Sequence, residues 1–274
     1  MIEKLAKNLV NLKKEFALNY DGSSQIQEII PISKSESFSI DQDKLNLLHE
    51  FATKNPIYYN SFEKIINDIA CIVYEGDINK YWLNSIQHNL SHAPFSPTWI
   101  MSGYILSLFA KENGYSEIID IGSGDGRIAY CGKMLGMESY SIELDNLLVD
   151  LQKSLTDNIN FNPHCSDAVQ FDYPSLNLTK PLFFIGGLAQ MGGLELATGV
   201  LNKIKSNSNL WNNAGWSFAG TISKNTLQIQ KIRLDGVVLL KTIIFNSFKI
   251  SRYQLLGHFM NLMKHNMFLQ NPSK

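Results

Sequence analysis

Residues 117–130 of this chain, EIIDIGSGDGRIAY, place three glycines at alternate positions between a short apolar run and a segment with helical spacing. An apolar run followed by a glycine turn and a helix is typical of one strand–turn–helix unit of a parallel sheet. Glycine adopts left-handed backbone conformations and lets a ligand touch the backbone. Free N–H groups and the helix dipole favour a polar ligand at such a helix start. The stretch therefore predicts a ligand site at the end of a strand in an α/β fold.

Composition places the chain among ordinary globular proteins. It has 274 residues, of which 45% are hydrophobic and 18% charged, enough for a substantial core. No apolar run approaches the roughly 18 residues that span a bilayer, and the start, MIEKLAKNLVNLKKEF, lacks the unbroken apolar stretch of a signal peptide. We therefore expect a cytoplasmic protein without membrane contact. The three cysteines are widely spaced, without a CxxC pair or a His cluster, so we expect no metal site.

The charges are unevenly distributed along the chain. The formal net charge is -1, yet residues 224–274 contain eight basic residues and one acid, Asp235. This basic segment is a candidate surface for RNA or an acidic protein. The basic residues are spread out and not clustered, so an ordinary solvated face is the alternative interpretation.

The first 94 residues are interpreted as a helical N-terminal cap region. Apolar residues at steps of three and four predict a first helix with one apolar stripe, and further helices are predicted at 43–53 and 60–74. The polar stretch 21–44 between them is predicted to be a loop or linker. Two heptads are too few for a coiled coil, so the first helix is expected to dock on the body of the protein.

Residues 95–274 are interpreted as one domain. Strand-like and helix-like segments alternate up to about residue 223, the signature of a parallel sheet with crossover helices. Two strand-like runs follow at 236–245 and 249–257, and they suggest an antiparallel hairpin at the sheet edge.

The spacing of the glycines discriminates between ligands. A dinucleotide fingerprint, G-x-G-x-x-G, would place its third glycine at position 127, where this chain has Arg127. A phosphate-binding P-loop would end in Gly-Lys-Ser/Thr, which is absent here. With Asp120 in front, the pattern D-x-G-x-G-x-G resembles the first motif of class I S-adenosylmethionine-dependent methyltransferases. The resemblance implies a Rossmann-like, seven-stranded, mostly parallel sheet with an antiparallel edge hairpin, here preceded by the helical N-terminal region.

Two further acids stand where this family has acids. Glu143 ends the next strand, 23 residues after Asp120, where the family holds both ribose hydroxyls; Asp167 follows a third strand, where the family reads the adenine amino group beside the Ala168 backbone. Asp172 is the competing choice for the adenine contact. Asp120 has an alternative role in stabilising the turn or the helix start. The resemblance implies these cofactor-binding residues: Pro97, Thr98, Asp120, Gly122, Ser123, Gly124, Gly126, Glu143, Leu144, Asp167, Ala168 and Gly186. Asp125 and Arg127 are expected in solvent or in a local salt bridge.

The sequence indicates the methyl acceptor less clearly than it indicates the cofactor. The lead-in PFSPTWI, with Pro97 and Thr98 over the methionine end of the cofactor, and the loop IGSGDGR are most similar to class I protein lysine methyltransferases. The fourth strand ends in GGLAQ, without the Asn/Asp-Pro-Pro-aromatic or Pro-Cys sequences of base-modifying enzymes. Catalytic residues are unknown, and the candidates are Gln190, Met191 and His92. A protein side chain is the preferred acceptor, ahead of RNA or a small metabolite.

A non-catalytic scaffold is the second class of function. Such a protein would keep the cofactor fold and use the basic segment to hold RNA or a protein partner. A scaffold has no use for three correctly spaced acids, so the enzyme is the favoured interpretation.

Overall fold

The computed structural model describes residues 2–80, 82–83, 93–94, 97–161, 163–186, 193–218, 248–256 and 264–272. Five parallel strands form its central sheet, in the order β8-β7-β6-β9-β10. These strands are β6 (Glu117–Ile121), β7 (Glu138–Glu143), β8 (Pro163–Cys165), β9 (Pro181–Ile185) and β10 (Gly215–Phe218). The helices that follow them are α4 (Arg127–Met134), α5 (Asn146–Leu155), α6 (Gly193–Lys205) and α7 (Ser208–Asn213). The predicted α/β class with a mostly parallel sheet is confirmed.

The chain reverses its direction of travel across this sheet between β6 and β9. It runs from β6 to β7 and β8 on one side and returns to β9 and β10 on the other. Ligands of open α/β sheets bind outside the carboxyl ends of the strands at such a switch point. The glycine turn directly follows β6 and therefore lies at this point.

Two strands continue the sheet beyond β10. The strand β12 (Lys264–Pro272) pairs antiparallel with β10, and β11 (Phe248–Leu256) pairs antiparallel with β12. The run predicted at 249–257 thus corresponds to β11, which pairs with 264–272, while the run predicted at 236–245 lies outside the described residues.

The N-terminal region is only partly helical, which corrects the sequence prediction. The helices α1 (Ile2–Leu18) and α2 (Gln42–Lys54) agree with the predictions for these segments. The predicted loop contains a buried strand, β1 (Ile26–Pro31), and the helix predicted at 60–74 is instead a hairpin of β2 (Tyr58–Ile66) and β3 (Ile69–Gly76). These strands form an antiparallel sheet in the order β1-β3-β2.

A two-residue turn explains the hairpin. Asn67 and Asp68 both have positive φ, 49° and 60°. Two such residues form the type I′ turn that matches the twist of a β-hairpin. The flanking apolar residues also fit helical spacing, but many are β-branched, and the turn between them selects the strands.

One hydrophobic core joins the N-terminal region to the parallel sheet. Side chains of α1, α2 and the three-stranded sheet pack in the same apolar cluster as α3 (Ile100–Glu112), α4 and β6. A further short pair, β4 (Trp82–Leu83) and β5 (Ala93–Pro94), precedes α3. The core is therefore continuous across residue 94, and the predicted domain boundary there stays a prediction. None of the helices in the described ranges is long and apolar enough to cross a bilayer.

Candidate cofactor site

The carboxyl ends of four strands bring most of the predicted cofactor residues to one edge of the sheet. Ile121 of β6 is in register with Ile142 of β7 and Ile185 of β9, and Glu143 is in register with Cys165 of β8. The residues at and just beyond these strand ends therefore lie along the same edge of the sheet, next to the switch point. The predicted cofactor residues within three positions of a strand end are Gly122, Glu143, Leu144, Asp167, Ala168 and Gly186.

Backbone conformation explains the three glycines. Gly122, Gly124 and Gly126 have φ of 64°, 58° and 77°, in the left-handed region that side chains other than hydrogen disfavour. We call residues 122–126 the glycine loop. Gly122 is its exposed member, whereas Gly124 and Gly126 are buried. A ligand that touches the backbone would therefore meet the loop at Gly122.

Four of the five amides of the glycine loop are used internally, contrary to the expectation of free N–H groups. The Gly122 and Ser123 amides donate to Ile142 O at 2.9 and 3.3 Å, and the Gly126 amide donates to Ser123 O at 2.9 Å. At the start of α4, the Arg127 amide donates to the Asp125 carboxylate at 3.3 Å. The loop therefore lacks the row of free donors that cradles a phosphate.

Glu143 is the main support of this loop. Its buried carboxylate accepts from the Gly124 amide at 2.8 Å through Oε2, and from the Leu144 and Asp145 amides at 2.8 and 3.1 Å through Oε1. Burial raises the pKa of Glu143, while the three backbone donors act to lower it. A carboxylate has about four acceptor positions, so about one remains for a ligand.

Asp120 retains an unused acceptor in a buried position. Its Oδ2 has no hydrogen-bond partner within the described part of the chain, while the nearby Ala129 amide of α4 acts to lower the pKa of the carboxyl group. Burial raises the pKa of Asp120 well above its usual range, and the charges of Asp125 and Glu143 add to the effect. A buried acceptor without a partner is costly, so a donor from a ligand would be favoured at Oδ2. The alternative role of Asp120, which is to stabilise the turn or the helix start, stays a prediction.

The two candidate adenine acids differ in their surroundings. Asp167 lies two residues beyond β8, is half-buried, and accepts from the Val169 amide at 2.8 Å. Asp172 is exposed and precedes a short 3-10 turn, Tyr173–Leu176. Ala168 is buried, and its carbonyl accepts from Tyr173 Oη at 2.7 Å. Asp167 therefore lies nearer the strand end than Asp172.

Gln152 of α5 is a support that the sequence analysis missed. Its buried side chain donates from Nε2 to Ser123 Oγ at 3.0 Å and to Gly124 O at 2.7 Å. Ser141 Oγ donates to Gln152 Oε1, which fixes the orientation of the amide. Gly124 is thus held on both sides, by Gln152 at its carbonyl and by Glu143 at its amide.

Replacing Gly126 with alanine tests this packing. A Cβ at position 126 would lie 3.0 Å from the Gln152 side chain, while a Cβ at Gly136 would meet nothing within 4 Å, at nearly the same φ (77° and 78°). We expect Gly136→Ala to cost about 1–2 kcal/mol from backbone strain alone. Gly126→Ala should cost roughly 1 kcal/mol more because Gln152 must move. Urea unfolding of both variants measures the difference, and equal costs would contradict the proposed contact.

A buried ionic cluster ties the glycine loop to the N-terminal region. The Arg127 guanidinium binds the Asp125 carboxylate through Nε and Nη2, and its Nη1 lies 3.3 Å from Glu28 Oε2. Asn55 Nδ2 donates to Asp125 Oδ2 at 2.8 Å. The expected salt bridge between Asp125 and Arg127 exists, but it is buried and not in solvent. The N-terminal members, Glu28 and Asn55, were not predicted.

The lead-in segment is held by the same cluster. Arg127 Nη1 donates to Thr98 O at 2.7 Å, and the Glu28 carboxylate accepts from the Ile100 amide at 2.8 Å. Pro97 is buried and Thr98 half-buried, directly before α3. The predicted candidates His92, Gln190 and Met191 lie outside the described residues.

Titration of Glu28 should make stability depend on pH. Burial raises its pKa from 4.5 to about 7, against the opposing effects of Arg127, the Ile100 amide and Lys13. Between these values the folded protein keeps a proton that the unfolded chain releases, so the free energy of unfolding falls as pH rises. Lys13, whose pKa is lowered to about 7, acts above this window.

A Glu28→Gln variant isolates this contribution. The other buried acids titrate in both proteins, so the difference in unfolding free energy between wild type and variant should change by about 2 kcal/mol from pH 4.5 to 7. Urea unfolding at pH 4.5, 5.5, 6.5 and 7.5 measures it. Parallel stability profiles for the two proteins would show that Glu28 does not titrate in this range.

Comparisons with known proteins give distant similarities in structure only. No family model and no curated protein matches the chain. A TehB-like SAM-dependent methyltransferase from Corynebacterium glutamicum is 12% identical, with 62% of this chain and 88% of that chain covered and a TM-score of 0.41. The N-methyltransferase NodS from Bradyrhizobium japonicum is 12% identical, with 63% and 96% covered and a TM-score of 0.42. Magnesium protoporphyrin IX methyltransferase from Synechocystis, with bound SAH, is 11% identical, with 66% and 90% covered and a TM-score of 0.40.

The three similar structures are those of methyltransferases. The nearer resemblance to protein lysine methyltransferases stays a prediction. At this distance a likeness does not transfer an activity, so the function of this chain has to be inferred from its own residues.

Proposed function

We propose that this chain is an S-adenosylmethionine-dependent methyltransferase. The observation that carries the proposal is the set of carboxylates around a glycine loop in which four of the five amides are already bonded. Among the described residues, Asp120 keeps a buried acceptor without a partner, and Glu143 keeps about one free acceptor position. Such a site favours a ligand that brings donors and positive charge, and it disfavours a phosphate.

The cofactor matches these requirements. Its sulfonium and ammonium groups are cationic, and its ribose hydroxyls and adenine amino group are donors. A dinucleotide would place its pyrophosphate against the glycine loop, where four of the five amides are already bonded within the protein. The bonded amides therefore support the methionine-derived cofactor over a dinucleotide, whereas Glu143 would suit the ribose of either ligand.

Each strand end would hold one part of the cofactor. Glu143 would accept from the ribose, and a bond to both hydroxyls would require it to release one backbone donor. Asp167 and the Ala168 backbone would face the adenine, and Asp120 Oδ2 would accept from the amino-acid end. Pro97 and Thr98 would cover the methionine end, and the remaining contacts would come from Gly122, Ser123, Gly124, Gly126, Leu144 and Gly186.

The cofactor supplies an activated methyl group for in-line displacement. The chain would align the acceptor with that group and exclude water from it. Glu143 and the glycine loop contribute rigid positioning, because buried hydrogen bonds fix both of them. A base is required where the acceptor is protonated at neutral pH, as an amine is; Gln190, Met191 and His92 stay the candidates on the acceptor side.

We further propose a protein side chain as the acceptor, with RNA or a small metabolite as the alternatives. The lead-in and loop sequence supports the protein acceptor, and the basic segment 224–274 supports RNA. In this proposal β11 and β12 complete a seven-stranded sheet, and the protein acts in the cytoplasm.

A labelled-methyl experiment tests the proposal. Purified protein is incubated with tritiated S-adenosylmethionine and a lysate from which small molecules have been removed, and the products are treated with protease or nuclease. Transfer into protease-sensitive material supports the protein acceptor, and transfer into nuclease-sensitive material supports RNA. The small molecules removed from the lysate are assayed separately as acceptors. Cofactor binding without transfer to protein, RNA or these small molecules would favour the scaffold.

A further inference from the structure

Buried polar side chains of the N-terminal region converge on the segments around the glycine loop. Glu28 of β1 contacts the Ile100 amide and Arg127, while Asn55, at the end of α2, contacts Asp125. From α1, Lys13 donates to Ser102 Oγ at 3.1 Å and lies 3.8 Å from the centre of the Trp99 ring. Three separate elements thus direct buried polar groups toward the same place.

The Asn55 contact is oriented at both ends. Its Oδ1 accepts from the Ile57 amide at 3.2 Å, so its Nδ2 is directed to Asp125 Oδ2 at 2.8 Å. Asp125 stands between Gly124 and Gly126, both in the left-handed conformation. Fixing the Asp125 carboxylate therefore constrains the middle of the glycine loop.

Glu28 acts on the other side of the same cluster. Its Oε2 accepts from the Ile100 amide at 2.8 Å and lies 3.3 Å from Arg127 Nη1. The same Nη1 donates to Thr98 O at 2.7 Å. Glu28 therefore joins the segment before α3 to the residue that follows the loop.

Burying this many charged groups is unfavourable for the free energy of folding. Taking ions out of water costs several kcal/mol each, and apolar residues of the same volume often stabilise a fold as well or better. The cluster is nonetheless almost completely buried, at a junction between the N-terminal sheet and the switch point. The contacts of the cluster with Asp125 and Arg127 suit it to hold the glycine loop in one conformation.

We infer that Glu28 and Asn55 are positioning residues for the glycine loop, acting through Arg127 and Asp125. The N-terminal region is then part of the binding site although neither residue needs to touch the ligand. Only the identity of the ligand rests on the proposed function. A loop that samples other conformations binds with an affinity reduced by the fraction of competent molecules.

Hydrogen exchange in the ligand-free protein tests the positioning directly. The variants are Glu28→Gln and Asn55→Leu, studied at pH 8, where the Glu28 carboxyl is ionised and glutamine does not imitate it. The reporters are the amides of residues 122–127, read by mass spectrometry on a peptide that covers 117–130. Gln27→Leu is the matched control, because Gln27 is the buried neighbour of Glu28 and its side chain bonds only Ser24 among the described residues. We expect loop exchange about tenfold faster in both test variants and unchanged in the control.

Affinity for S-adenosylmethionine is the second measurement, made where unfolding curves show each variant to be folded. The dissociation constant should rise about tenfold in Glu28→Gln and Asn55→Leu and stay at the wild-type value in Gln27→Leu. Unchanged loop exchange in the test variants, or equal acceleration in the control, would overturn the positioning role. Faster exchange in a protein whose wild type does not bind this cofactor would support the positioning role and reject the proposed ligand.

Discussion

Replacing Arg127 with alanine is expected to lower the free energy of unfolding by about 3–5 kcal/mol. The guanidinium is buried and faces the Asp125 carboxylate, Glu28 and the Thr98 carbonyl. Its removal leaves two buried acids, Asp125 and Glu28, and the Thr98 carbonyl without a cation. Removing one partner of a buried ion pair is strongly destabilising, because the other charge stays buried without compensation. Urea unfolding at pH 7 measures the effect.

An exposed ion pair is the control for this loss. Lys153 and Asp150 on α5 are 2.9 Å apart, with side chains 59% and 67% exposed. Lys153→Ala should change stability by about 0–0.5 kcal/mol, since water and salt screen such pairs. A loss below about 1 kcal/mol in Arg127→Ala would mean that the cluster is solvated and does not hold the loop.

Replacing Glu143 with alanine is expected to abolish cofactor binding and to destabilise the protein. Three backbone donors lose their acceptor, and a buried donor without a partner costs about 1–3 kcal/mol. We expect a total of about 2–4 kcal/mol, because water can reach part of the opened loop. Cofactor affinity should fall at least about 100-fold, since ligand contact and loop support are lost together.

Glu138 at the other end of β7 provides the matched control. Its side chain is 64% exposed and bonds Lys133, so Glu138→Ala should leave both stability and affinity near wild type. Calorimetry and urea unfolding on the same preparations separate the two effects. Unchanged affinity in a folded Glu143→Ala protein would show that the ligand does not bind at this strand end.

The glycine loop and its strand ends were predictable because their signals are local. An apolar run, a turn that needs positive φ and a helix start lie within fourteen consecutive residues, 117–130. Glu143 was found by its spacing from Asp120, and β7 indeed ends at that residue.

The partners of the loop could not be found in this way. Glu28 and Asn55 meet Arg127 and Asp125 across 99 and 70 residues of sequence. The only local signal was a single acid within the apolar run IQEIIP, which was assigned to a loop. The β2–β3 hairpin had a readable signal, the Asn67–Asp68 turn between β-branched runs, but helical spacing of the apolar residues outweighed it.

The role of Glu143 also depends on tertiary structure. Spacing and residue type indicate a carboxylate for a diol, whereas the folded protein uses three of its acceptor positions for the backbone. The same side chain thus supports the loop and faces the ligand position. Sequence spacing cannot distinguish these two roles, because both need an acid at the end of β7.

Isothermal titration of the purified protein with S-adenosylmethionine, and separately with NADH, tests the central claim most directly. The carboxylates and the internally bonded loop predict saturable binding of S-adenosylmethionine, lost in Glu143→Ala and retained in Glu138→Ala, and no binding of NADH. Binding of NADH, or of neither compound by the folded wild-type protein, would contradict the assignment of the glycine loop to this cofactor.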